Sequence, residues 1–241
     1  MLLSILTSEG DIGYKILILL VATIALLPAL TVHEWAHGFA AYKLGDSTAK
    51  ADGRLSLNPL DHIDPIGSIM LLLLGFGWAK PVPVITRNFK KPRRDFAIVA
   101  FAGPLSNFII AFFSAFLYVL AESVCKANGW DGNITAQVIV EICRFSMIYN
   151  IGLGSFNLIP IPPLDGSNIV MCILPNRLAS KYAKLRYYTH YIFIGLIVLR
   201  YLPFPLNLIP NVVFLPLDFA RNIIEFGFKT FFELIINPFF L

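Results

Sequence analysis

Apolar residues run uncharged through 16–32, 96–121 and 145–164, with a shorter run over 65–79, while 187–199 carries only His190 as an ionisable group. A membrane-crossing helix needs about 20 apolar residues, with about 17 as the lower limit, so the three long runs predict full spans. The run 65–79 falls short of that length. It is bounded by Asp64-Pro65 on one side and by Gly75, Gly77, Pro81 and Pro83 on the other, which predicts a re-entrant hairpin and not a crossing. The stretch 187–203 predicts a fourth span, and 204–219, broken by Pro205, Pro210 and Pro216, a weaker fifth. The Phe-rich tail 222–241 reads as an interfacial amphipathic helix. The expected fold class is an all-α polytopic membrane protein of about four to six transmembrane helices with a re-entrant hairpin.

Composition agrees with that pattern. Of 241 residues, 57% are hydrophobic and 14% charged, against roughly 25% charged in soluble domains. A mean hydropathy of +0.72 excludes a disordered chain. The expected organisation is one membrane-embedded unit over 1–241, with a core at 13–190 and further helices within 187–241. Met1 to Gly13 holds two acids and no base, unlike a signal peptide, so the first span is expected to stay attached.

The net charge of +4 does not point to nucleic acid, because the bases lie in loops and form no patch interleaved with aromatics. Three groups hold them: Lys43, Lys50 and Arg54; Lys80 to Arg94; and Arg177 to Arg186. The positive-inside rule places these loops in the cytoplasm and 122–135, with Lys126 as its one base, outside. The first span then runs inward and the hairpin dips from the cytoplasmic side. Three further spans run outward, inward and outward. Cys125, Cys143 and Cys172 form no C-x-x-C pair and read as apolar fillers, with a Cys125–Cys143 bridge as the alternative.

The chemistry concentrates at His33-Glu34-Trp35-Ala36-His37, at the end of the first run. Helical positions i and i+4 share a face, so both imidazoles can reach one zinc ion with Glu34 close enough to act on water. Three ionisable groups within a long apolar helix are costly unless they face a partner. A catalytic zinc takes three protein ligands and keeps one position open. Asp165, directly after the run 145–164, lies at the same cytoplasmic depth in this topology and is the expected third ligand; the alternative is a helix N-cap. His62 and Asp64 sit in an Asn- and Pro-rich loop and read as a turn held by side-chain hydrogen bonds more readily than as a second metal site. Asn107, in an otherwise apolar run, could brace the site or bond another helix.

The motif His33-Glu34-Trp35-Ala36-His37 in a membrane helix, followed by Asn157-Leu158-Ile159-Pro160-Ile161-Pro162-Pro163-Leu164-Asp165-Gly166, resembles the site-2 proteases. These are zinc metalloproteases that cut substrates inside the membrane. Asn58 to Gly67, Gly77 to Val82 and Ala102 to Asn107 support the resemblance. It implies one zinc held by His33, His37 and Asp165, with Glu34 as the catalytic base and Asn157 near the substrate carbonyl. It also implies transmembrane protein substrates and an extended substrate received by strand addition along Gly75 to Val84. The chain is similar to the compact members without a PDZ domain. A bacterial plasma membrane, with the site toward the cytoplasm, is the expected setting. The competing readings are a zinc transporter or channel, which should spread polar residues over several spans, and an inactive relative that only binds membrane segments.

Overall fold

The computed structural model describes residues 11–67, 78–200 and 208–240. Its α-helices include α1 (Ile12–Lys43), α2 (Thr48–Ala51), α3 (Pro92–Ala127), α4 (Ile134–Asn157), α5 (Asp165–Ile173), α6 (Asn176–Arg200) and α7 (Leu208–Ile236). No strand occurs among the described residues. Most of the expected hairpin, 68–77, lies outside them, as do residues 1–10 and the segment 201–207 between the last two helices.

Among the described residues three helices, α1, α3 and α4, are long and apolar enough to cross a membrane. These are the three long runs. At 32 and 36 residues, α1 and α3 are about 48 and 54 Å long, well beyond a hydrocarbon core of about 30 Å. Asp11 starts α1 by accepting hydrogen bonds from Gly13 and Tyr14 N–H, and Asn133 starts α4 through Ala136 N–H.

Small residues let the spans approach closely. In α1 the buried set includes Ala22, Ala25, Ala29 and Ala36, and in α3 it includes Ala100, Gly103, Ala111 and Ala115, each at helical spacing. Both helices pack on α4, and α5 packs on α3. A cluster of Ala111, Ala115, Tyr118, Val119, Met147 and Ile151 fills the α3–α4 contact.

Phe232 and Ile236 of α7 join this core, and Phe232 lies 4.8 Å from Phe112, ring centre to ring centre. The amphipathic helix expected over 222–241 is the end of a longer one: residues 222–236 continue a helix that begins at Leu208 and bury part of their aromatic face against α3 and α4. Periodicity alone shows that such a face exists and not what covers it. The three cysteines are free thiols.

A strap of irregular backbone, residues 78–85, crosses the end of α1. Buried Asp46 pins one end by accepting from Ile85 N–H, Asn88 Nδ2 and Thr48 N–H. Lys80 donates from its backbone N–H to the His62 carbonyl, and Arg54 donates to the Lys80 carbonyl.

Candidate metal centre

His33 and His37 fall one turn apart on α1 and are both buried against α3. Their Nε2 atoms lie 3.1 Å from each other, and each lies 3.2 Å from Asp165 Oδ2. Donors about 2.05 Å from a tetrahedral zinc stand about 3.3 Å apart, so this triangle has the edge that zinc requires. It is the one such cluster found among the described residues, and His62 with Asp64 forms no second.

Hydrogen bonds behind the rings fix which way their lone pairs point. His37 Nδ1 lies 2.7 Å from the Val99 carbonyl, which can only accept, so Nδ1–H donates. His33 Nδ1 lies 2.6 Å from Asn107 Oδ1 and donates likewise. With its proton on Nδ1, each ring turns its Nε2 toward the other and toward Asp165. Asp165 Oδ2 is itself buried and receives no hydrogen bond. Three potential ligand atoms converging on one point could hold a cation, and two imidazoles with one carboxylate are a set that suits zinc.

Local sequence explains the placement of Asp165. The turn Pro160 to Leu164 ends α4 and α5 begins at Asp165 itself, with Leu164 as its N-cap and no side-chain capping bond. The N-cap alternative therefore falls away: the Asp165 side chain is turned to the histidines, at the positive end of a helix that favours a carboxylate. Gly166 makes the turn possible, since a Cβ there would stand 2.6 Å from the Ile159 carbonyl oxygen and closer still to that of Leu158. At the far end of α5, Arg93 donates to the carbonyls of Met171 and Leu174, clamping the short helix to α3.

Glu34 is half-buried on the neighbouring face, and its Oε2 accepts from Val82 N–H of the strap at 3.0 Å. One oxygen of the carboxylate is thereby held, leaving the other for chemistry. Asn157 ends α4 and donates from Nδ2 to the Leu153 carbonyl at 3.0 Å, one turn back. His62 serves the loop itself: its Nε2 donates to the Ser56 carbonyl at 2.8 Å, while Asp64 accepts from Gly67 N–H, the turn expected from the sequence.

Three contributors carry no side-chain signature in the sequence. The Val99 carbonyl is invisible there. The Val82 amide has a faint mark, as the one N–H in Pro81-Val82-Pro83. Gly103 leaves the hollow in α3 that the imidazoles fill. Asn150, by contrast, is legible by the argument that singled out Asn107, being an amide inside an uncharged run.

Comparison with known proteins agrees with this geometry. YwhC of Bacillus subtilis, named as a candidate zinc metalloprotease, is 43% identical over 178 residues, spanning 73% of this chain and 78% of that one. Rip2 of Mycolicibacterium smegmatis and MJ0611 of Methanocaldococcus jannaschii, named in the same way, are 30% and 27% identical over 145 and 159 residues. Those two matches cover 58% and 66% of this chain, and 52% and 73% of the relatives. No solved structure matches the chain significantly. The model of peptidase family M50 matches residues 21–200, which takes in most of α1, all of α3, α4 and α5 and the whole ligand set, and the chain belongs to that family.

Proposed function

We propose that this M50 peptidase is a zinc metalloendopeptidase that hydrolyses peptide bonds in or near the transmembrane segments of other membrane proteins, the reaction of regulated intramembrane proteolysis. The observation that carries the reading is the triangle of His33, His37 and Asp165 at zinc-ligand spacing, on helices long enough to span a membrane, with Glu34 one residue from the first ligand. A transporter would need polar groups at matching depths in several spans, whereas both buried histidines of the described spans stand in one helix, α1, beside Glu34. Glu34, the group that an inactive binder could most easily lose, is present.

His33, His37 and Asp165 would hold the ion. When bound, zinc lowers the pKa of its water toward about 7 and polarises the scissile carbonyl. Glu34 takes the proton of the attacking water through the oxygen that Val82 leaves free, then returns it to the leaving amine. Asn157 is the residue that would meet the developing oxyanion, through the second N–H of its Nδ2. A helical substrate hides its amides in its own hydrogen bonds and must unwind before it can be cut. The irregular strap beside Glu34 offers main-chain groups to such an extended segment.

Lys43 follows His33 by ten residues, about 15 Å along the helix, so the site lies within reach of water from the basic, cytoplasmic side. A bacterial plasma membrane suits this arrangement. The test is Glu34→Gln in proteoliposomes carrying single-span reporter substrates. Full zinc with no cleavage is expected; cleavage at the wild-type rate would overturn the mechanism.

A further inference from the structure

Two asparagines in the membrane-spanning helices are almost completely buried: Asn107 of α3 at 0% exposure and Asn150 of α4 at 1%. An amide at that depth is expensive unless each of its groups is satisfied. Here they are, and in a fixed order. Asn107 Nδ2 donates to the Ala29 carbonyl of α1 at 3.1 Å and to Asn150 Oδ1 at 2.8 Å. Asn150 Nδ2 donates to the Ser146 carbonyl at 2.8 Å.

The two backbone carbonyls can only accept, and this sets the direction of the whole chain of bonds. Turning the Asn107 amide over would set its oxygen against the Ala29 carbonyl and Asn150 Oδ1, two acceptors. Turning Asn150 over would do the same at Ser146. Asn107 Oδ1 is therefore held toward His33, where it lies 2.6 Å from Nδ1.

We infer that Asn107 is a positioning residue for the metal centre, and that Asn150 aims it: together they keep the proton of His33 on Nδ1 and its Nε2 lone pair on the shared point with His37 and Asp165. The inference rests on the metal reading of that triangle. Its rival is that the two amides simply join α1, α3 and α4. Ser114 separates the two ideas. Its hydroxyl bonds Ser146 at 2.8 Å, linking α3 to α4 two turns from Asn107.

The experiment is cobalt(II) titration of the purified full chain in detergent, read by the visible ligand-field bands, with thermal unfolding of the apo form alongside. Partners behind a ligating histidine are worth about 10–100-fold in metal affinity. Asn107→Leu and the smaller Asn107→Ser are expected to weaken cobalt binding by that factor and to shift the bands. Asn150→Ser should weaken binding several-fold. Ser114→Ala should lower the unfolding midpoint and leave affinity and bands unchanged. If Asn107→Leu does not fold, Asn107→Ser and Asn150→Ser decide. Wild-type affinity and bands in those variants, with only a Ser114→Ala-like loss of stability, would overturn the inference alone. A wild type that binds no cobalt would overturn the metal reading and this inference with it.

Discussion

Gly103→Ala adds one methyl group where α3 passes against the two imidazoles. The new carbon would stand 2.5 Å from His37 Cε1, 2.8 Å from His33 Cε1, and closer still to His37 Nε2. Carbon atoms in ordinary contact keep about 3.5–4.0 Å, so the rings must withdraw by about 1 Å. They cannot withdraw freely, because each is tethered behind, to the Val99 carbonyl and to Asn107. Zinc–ligand distances tolerate about 0.2 Å, so a 1 Å retreat detaches at least one donor. Zinc affinity should therefore fall at least about 100-fold, which is ~2.7 kcal/mol.

Folding should suffer less. Overpacking costs about 1–3 kcal/mol, and replacing a helical glycine by alanine returns up to about 1 kcal/mol. The assay is zinc per chain after dialysis against a competing chelator, with apo-form unfolding and reporter cleavage measured on the same samples. Gly152→Ala is the control, since a Cβ at Gly152 on α4 meets nothing within 4 Å. It should keep zinc and cleavage intact. Stoichiometric zinc held at wild-type affinity by Gly103→Ala would refute the reasoning, for it would mean that the rings do not need the hollow.

Val82→Pro removes the N–H that holds Glu34 Oε2, and turnover should drop about tenfold or more with zinc retained, whereas Val82→Ala keeps the bond and most of the rate. Asp46→Ala removes the buried acceptor shared by Ile85 N–H, Asn88 Nδ2 and Thr48 N–H, and a loss of about 1–3 kcal/mol should show in thermal unfolding. Burial pushes the Asp46 carboxyl up, but the hydrogen bonds from Thr48, Ile85 and Asn88 outweigh it and hold the group below its ordinary range. Its contribution is thus full above the unfolded carboxylate value of about 3.9 and is lost as pH falls through the lower, folded value; the midpoint gap between wild type and Asp46→Asn should narrow on acidification. Stripping the metal should lower the unfolding midpoint, and adding zinc back at about 100 times its Kd should restore roughly 2.7 kcal/mol.

Charge-free run length located α1, α3 and α4, because bilayer solvation leaves a composition signal that needs no partner. The spacing of His33 and His37 was equally plain, since a helix converts i and i+4 into one face. Asp165 required a topology argument from loop charge, and the structure brings it to 3.2 Å from both imidazoles. What the sequence hid was main-chain chemistry. The Val99 carbonyl and the Val82 N–H are groups that every such residue possesses, so only the fold can tell which one meets a histidine or a glutamate. The docking of α7 was hidden for a related reason: an apolar face shows that it will be covered and not by which helix.

The donor triangle draws on chain positions about 130 residues apart, with α3 and α4 between them. A ribosome adding about 5–20 residues per second takes about 6–26 s to go from His37 to Asp165. Throughout that interval the first two donors are already made while the third does not exist. Catalytic competence is consequently a late event of biosynthesis, reached only after the fourth helix has entered the bilayer and turned back. Until then a nascent copy carries two imidazoles with no carboxylate to complete the triangle.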